Sequence, residues 1–311
     1  MSAAPPPARK LLLLGAAGFL GRAVVREFQP RGWEIHGADA APGQNAPAGI
    51  AYEQISLPSP GLAELIRRVQ PDACVHAAGR ASVALSMNDP AADFRDGVVV
   101  TFELLDALRL HAPACRTVLL SSAAVYGNPV ELPIREDHAP APLSPYGFHK
   151  WQIELLAEEF AKLFALPIAS ARIFSAYGTG LRRQVVWDIC EKALRGGGLK
   201  LRGTGQESRD FIHARDVASA VAVMVEKAPM RGERYNLASG EETTIAELAN
   251  ALLPMLELPA KAEFGAEENA GDPKNWRADI SRLQALGYRQ RVTLTEGLRG
   301  VAAFARAELG I

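Results

Sequence analysis

Leu11-Leu12-Leu13-Leu14-Gly15-Ala16-Ala17-Gly18-Phe19-Leu20-Gly21 is the most informative run in the chain. Four consecutive leucines predict a strand covered on both faces, as in a parallel sheet. Three glycines follow at the spacing GxxGxxG. Leu20, Val24 and Phe28 then recur four residues apart, which marks one face of a helix. Strand, glycine turn and helix in that order bring backbone N–H groups and the positive end of the helix to one point, which suits the pyrophosphate of a dinucleotide. Gly15 permits the tight turn, Gly18 lets backbone approach phosphate, and Gly21 allows helix and strand to pack closely. A βα turn also uses glycine for purely steric reasons. The flanking strand and helix are what the dinucleotide reading requires. Phe19 and Leu20, in the same turn, count with the glycines as cofactor-binding residues.

Composition bounds the rest. The 311 residues are 48% hydrophobic and 22% charged, enough for one large α/β domain or up to two domains. With 34 basic and 35 acidic side chains the net charge is −1, so no basic excess points to nucleic acid or anionic lipid. Cys74, Cys115 and Cys190 are odd in number and far apart, with no CxxC, and indicate neither a disulfide framework nor a metal site. A reducing cytoplasm is the expected location. Residues 1–8 read as a flexible leader. The apolar run after Arg9-Lys10 is too short for a signal peptide, and no stretch reaches the ~18 apolar residues of a membrane span.

Further along, residues 33–39 predict a second strand ending in Asp39. This aspartate falls about 20 residues after the glycines, where a dinucleotide fold places the acid that binds the adenosine ribose hydroxyls. No Arg or Lys follows through Gln54, so a 2′-phosphate would meet a negative charge and no partner. That favours NAD over NADP. The bland alternative is that Asp39 only opens a turn. A third strand is expected at 50–55, then a helix carrying Leu62, Leu65, Ile66 and Val69, and a fourth strand at 73–79. The small residues Ala77 and Ala78 at its end would let the cofactor lie against backbone, with His76 a structural histidine. One helix is expected over 91–110. A fifth strand, 117–122, ends in the hydroxyls of Ser121 and Ser122, and strand ends of this kind face the ligand crevice.

After a proline-rich loop at 128–145, Tyr146 and Lys150 open a helix and share one face of it. A tyrosine near pKa 10 is a poor base at neutral pH. A neighbouring ammonium and a positive nicotinamide favour the phenolate, which can then take a proton from a carbinol. Ser122 would hydrogen-bond the reacting oxygen. Such a pair is common on any helix, and its meaning comes from the strands and glycines that precede it.

Taken together, these residues resemble the extended short-chain dehydrogenase/reductase family, in its nucleotide-sugar epimerase and dehydratase branch. The resemblance rests on Gly15 to Gly21, His76-Ala77-Ala78, Ser121 to Gly127, Ser144 to Lys150, Arg172 to Gly178, Arg209 to His213, Tyr235 to Gly240 and Gly271-Asp272-Pro273. It implies bound NAD, a nucleotide-diphosphate-sugar substrate and the triad Ser122, Tyr146 and Lys150. It also implies a Rossmann-type doubly wound parallel sheet over residues 9–174 plus roughly 211–237, and a smaller α/β substrate-binding lobe from 175–210 and 238–311. Ser122, Ser175, Tyr177, Arg209 and Asp272 are the implied substrate-binding residues, with Arg209 on the pyrophosphate. The alternative for Arg209 is an ion pair with Asp210 or Glu207. Arg182-Arg183 reads equally as a phosphate contact or an exposed charged face; Trp276 reads as a lobe-packing residue, the alternative being a wall of the nucleotide site.

Several positions depart from the family pattern. Ser175 stands where asparagine is common, Asn269 where arginine is common, and Gly97 near a frequent asparagine. An aspartate usual near Ser56 is missing. Ala123-Ala124 replaces the Asp-Glu pair of the dehydratases, which disfavours a 4,6-dehydratase. The leading expectation is an NAD-dependent epimerase working at carbon 4. A reductase of nucleotide-linked 4-keto-6-deoxy sugars shares the same catalytic residues, and a cofactor-sensing protein without chemistry shares the fold. The helices near 91–110 and 146–164 carry broad apolar faces, which in the resembling family pair two copies into a homodimer.

Overall fold

A computed structural model describes residues 8–196, 199–258, 262–265 and 274–311. Its elements are, in order, β1 (Lys10–Leu14), α1 (Phe19–Phe28), β2 (Glu34–Asp39), β3 (Ala51–Gln54), α2 (Gly61–Val69), β4 (Ala73–His76), α3 (Val83–Asn88), α4 (Pro90–Phe94), α5 (Val100–His111) and β5 (Arg116–Ser122). There follow α6 (Pro145–Phe164), β6 (Ile168–Ile173), β7 (Ser175–Tyr177), α7 (Gln184–Arg195), β8 (Leu199–Leu201), β9 (Ser208–Arg209), β10 (Phe211–His213) and α8 (Ala214–Lys227). The chain closes with β11 (Arg231–Leu237), β12 (Thr243–Thr244), α9 (Ile245–Leu252), β13 (Ala262–Phe264), α10 (Ser281–Ala285) and α11 (Leu294–Leu309).

Seven strands form one sheet in the order β11-β6-β5-β4-β1-β2-β3. The pairs β1–β2, β2–β3, β1–β4 and β4–β5 are parallel. Strand order reverses between β1 and β4, and in such sheets a ligand crevice opens outside the strand ends at that point. Leu11 to Leu14 are wholly buried, as a strand covered on both faces requires. Leu12 and Leu14 join one core cluster with Leu62, Ile66, Leu104, Leu108 and Phe160 of α2, α5 and α6. Leu11 and Leu13 point to the opposite face by strand alternation. These observations define a Rossmann-type α/β fold.

By its internal packing the chain divides into two units. The first comprises 1–121, 144–172 and 218–235, and the second 122–143, 173–217 and 236–311. The sequence predicts residues 9–174 with roughly 211–237 as one domain and 175–210 with 238–311 as the other. In the structure, 122–143 and 211–217 also pack with the second unit. Asn236 accounts for part of this, since its side chain accepts from the Tyr126 hydroxyl (2.7 Å) and donates to the Ile134 (2.9 Å) and Asp279 (3.1 Å) carbonyls.

The second unit has its own core, in which Trp187, Ile189, Leu248, Leu252, Leu298 and Val301 of α7, α9 and α11 meet Leu199 and Phe211. Short strand pairs β7–β10, β9–β12 and β8–β13 edge it. Helices α9 and α11 each start with a reciprocal capping box, Thr244 with Glu247 and Thr293 with Glu296.

The helix expected at 91–110 is not continuous. Arg95–Val99 forms a π turn between α4 and α5, with Gly97 at its centre. Helices α3 and α7 and the short strand pairs were not anticipated. Among the described residues no helix is long and apolar enough to cross a membrane.

Candidate functional site

The glycine turn is closed by contacts that leave no room for side chains. A Cβ on Gly15, whose φ is +83°, would sit 2.7 Å from the Ala77 and Ala78 backbone, so the ends of β1 and β4 touch here. A Cβ on Gly21 would lie 2.0 Å from the Gly15 carbonyl oxygen. Gly18 faces only the Gly15 oxygen, at 3.2 Å, and is otherwise open. As N-cap of α1, Gly18 supplies no side-chain cap, and the first turn holds no acid. The N–H groups of that turn are therefore left for an outside acceptor, the condition for anion binding at a helix start. Phe19 and Leu20 are the first residues of that turn.

At the end of β2, Asp39 accepts the Ala17 N–H at Oδ2 and the Ala41 N–H at Oδ1, both at 3.0 Å. The carboxylate is thus fixed beside the glycine turn with lone pairs to spare.

Tyr146 and Lys150 of α6 line a cleft open to solvent, with His76, Ala78, Gly79, Gly97 and Thr101. Ser144 caps α6 by accepting the Gly147 N–H, and Ser86 accepts the Tyr146 N–H, so the helix start is held from two sides. The Lys150 ammonium lies 5.7 Å from the Tyr146 ring centroid and donates to the Leu120 carbonyl at 2.9 Å. Burial lowers the lysine pKa to about 8, against the pull of Asp93 and Glu154 toward the charged form. His76 is buried and its pKa falls to about 3, through burial first and the Lys150 charge second. It is a neutral ring in this setting. One nitrogen meets the Thr101 hydroxyl at 3.2 Å, while Nδ1 is buried with no partner.

Those features fit a nicotinamide dinucleotide. An uncapped helix start beside a Cβ-free backbone suits the pyrophosphate, a fixed carboxylate stands about one strand away, and an ammonium and an orphaned ring nitrogen border the same cleft. Among the described residues no cluster of His, Cys, Asp or Glu could hold a metal ion.

The remaining candidates belong to the second unit. Ser122 is half-buried, and its Oγ accepts the Ala124 N–H at 3.1 Å. Ser175 is half-buried at the start of β7. Tyr177, expected to touch substrate, is instead a core residue. It is 2% exposed, its ring meets Phe211 and His213 edge-on, and a Cβ on Gly297 would strike its hydroxyl at 2.2 Å. Burial, with Asp216 and Glu296 nearby, pushes its pKa up. A ring enclosed in this way has no face to offer a ligand.

Arg209 holds its guanidinium 5.6 Å over the Trp276 ring and donates to the Ser208 (2.8 Å) and Lys274 (3.3 Å) carbonyls. The Asp210 carboxylate accepts from the backbone of Ser239, Gly240 and Ala278, and Glu207 from Thr204 and Gly205. Trp276 is a packing residue, donating Nε1–H to the Gly127 carbonyl and meeting Phe174 edge-on. Arg182 pairs with Glu308 at 2.8 Å on an exposed face. Asp272 and Asn269 lie outside the described residues.

Two features escaped sequence reading. Glu154, fully buried one turn after Lys150, receives the Ser121 hydroxyl (2.6 Å), the Arg172 guanidinium (2.7 Å) and Arg234 Nε (3.2 Å). Arg22 donates to the Ala17 carbonyl within the glycine turn and to the Asn45 carbonyl between β2 and β3. The i+4 spacing of Lys150 and Glu154 was the available signal for the first. Nothing local signalled the second.

This fold and cradle define a dinucleotide-dependent α/β enzyme. The sequence profile of the NAD-dependent epimerase/dehydratase family matches residues 11–238, and the chain belongs to that family. It is accordingly an NAD-dependent enzyme of the extended short-chain dehydrogenase/reductase type. Among its relatives are a UDP-glucose 4-epimerase of Mycolicibacterium smegmatis, 28% identical over 96% of this chain and 98% of that protein, and dTDP-glucose 4,6-dehydratase 1 of Escherichia coli, 26% identical over 93% and 91%. The crystal structure of Thermus thermophilus UDP-glucose 4-epimerase with NAD superposes with a TM-score of 0.87 at 26% identity, covering 96% of this chain and 99% of that one.

Proposed function

We propose that the protein is an NAD-dependent nucleotide-sugar epimerase that inverts carbon 4 through a transient 4-keto sugar. The observation that carries this reading is the placement of Tyr146 and Lys150 together in a cleft bordered by the β4 end, beside the glycine turn. Bound NAD would supply reversible hydride uptake. Tyr146 takes the proton of the C4 hydroxyl and returns it at the end of the cycle. Lys150 favours the phenolate by its charge and holds the nicotinamide ribose. Ser122 hydrogen-bonds the reacting oxygen. Gly15, Gly18, Phe19, Leu20, Gly21, Asp39, Ala77 and Ala78 bind the dinucleotide, and Arg209, with Ser175 and Asp272, binds the nucleotide diphosphate. The first unit is then the NAD-binding domain and the second the substrate-binding one.

Ala123 and Ala124 favour epimerase over dehydratase, because water elimination needs an acid–base pair that this strand end lacks. The relatives named above, of both kinds, support the substrate class. We read the protein as a cytoplasmic homodimer, consistent with three buried free cysteines.

Purified protein, given a panel of UDP- and dTDP-sugars without added coenzyme, is expected to convert one of them to its 4-epimer, followed by proton NMR. Product that forms only with stoichiometric consumption of NADPH would replace this reading with the reductase. Tyr146→Phe keeps the ring packing and removes only the proton acceptor. Turnover should fall 10²- to 10⁴-fold with NAD affinity retained in calorimetry.

A further inference from the structure

Arg22 and Asp39 grip the same residue of the glycine turn from opposite sides. Asp39 Oδ2 accepts the Ala17 N–H at 3.0 Å, and Arg22 Nε donates to the Ala17 carbonyl at 3.0 Å. Arg22 Nη2 reaches across to the Asn45 carbonyl at 2.5 Å, in the segment between β2 and β3. Among the described residues Nη1 has no partner. Tyr52 reports both charges. Its hydroxyl donates to the Ala41 carbonyl, and its pKa is raised by burial and by Asp39 while Arg22 acts the other way. A guanidinium therefore stands at the adenosine end of the cradle, although no basic residue occurs between Asp39 and Gln54.

A 2′-phosphate is a dianion that a guanidinium can bind bidentately. Beside a fixed carboxylate the same group meets like-charge repulsion and loses a ribose hydroxyl that the carboxylate would accept from. We propose that Arg22 is a latent 2′-phosphate ligand and that Asp39 alone holds the site to NAD. Cofactor choice then turns on one carboxylate, because the cationic half of a 2′-phosphate site is already in place. The proposal rests on the glycine turn being the dinucleotide cradle.

The test is calorimetric binding of 2′,5′-ADP and 5′-ADP to the dinucleotide-stripped full chain. Wild type should prefer 5′-ADP. Asp39→Asn should shift the ratio toward 2′,5′-ADP by tenfold or more, and the gain should shrink as salt rises. Asp39→Asn combined with Arg22→Gln should lose most of that gain. Arg22→Gln alone should change 5′-ADP affinity less than threefold. If Asp39→Asn does not melt as a folded protein, Asp39→Ser serves in its place. An absent gain, or the same gain in the double variant, overturns the role of Arg22. Failure of wild type to bind 5′-ADP at all would instead overturn the cradle. A merely structural Arg22 would weaken both ligands equally and leave their ratio unchanged.

Discussion

Lys150 stands under opposing influences. Burial disfavours its charge and Asp93 and Glu154 favour it; burial is the larger influence and brings the pKa down to about 8, so the ammonium holds its proton below that pH. The sign of the pH effect follows. Its proton is present below pH 8 and leaves as pH rises through that value, so support for the phenolate is lost on the alkaline side. Turnover should fall above about pH 8 with a single-proton limb. Lys150→Arg, which stays charged, should remove that limb while lowering the maximum, and a rate–pH profile on both proteins checks it. The positions of Gly15, Gly21, Tyr146 and Lys150 were legible from local spacing: the glycines stand in the β1–α1 turn and the tyrosine and lysine line one cleft. Tyr177 was not, because a tyrosine in a family motif reads alike whether its ring faces a ligand or Phe211. Arg22 was missed since its partners Ala17 and Asn45 flank it at unequal distances along the chain, on no common periodicity.

At the scale of the element, α6 is tied to the sheet by charge as well as by its apolar face. Glu154 joins Ser121 of β5, Arg172 of β6 and Arg234 of β11 through one buried carboxylate. Truncating one member of a buried ion pair strands the other in low dielectric and costs about 3–5 kcal/mol. Glu154→Ala should lower the unfolding free energy by that amount in urea titration. Glu158→Ala, which removes a solvent-facing partner of Lys162 and Arg234, should cost less than about 1 kcal/mol. The strands of the sheet were readable because burial on both faces leaves an unbroken apolar run, as in Leu11 to Leu14. The break between α4 and α5 was not. Phe94, Val98 and Phe102 keep a four-residue spacing across it, and periodicity cannot register one extra residue per turn.

Over the whole molecule, a band of apolar side chains remains open to solvent on the first unit. Phe102 and Leu110 of α5, and Phe148, Leu155 and Leu163 of α6, recur at seven- or eight-residue intervals and are 45–71% exposed. Apolar patches of this regularity mark interaction surfaces, and we assign this one to a second copy of the chain. Light scattering should return twice the monomer mass, and Leu155→Arg with Phe148→Asp should return a single copy that still binds NAD. The first unit is assembled from three separate stretches of polypeptide and the second from the three between and after them. No contiguous gene fragment therefore encodes either one. Deletion series of the usual kind would yield unfolded products. Isolating half of this enzyme for study would require rewiring its loops into a new chain order.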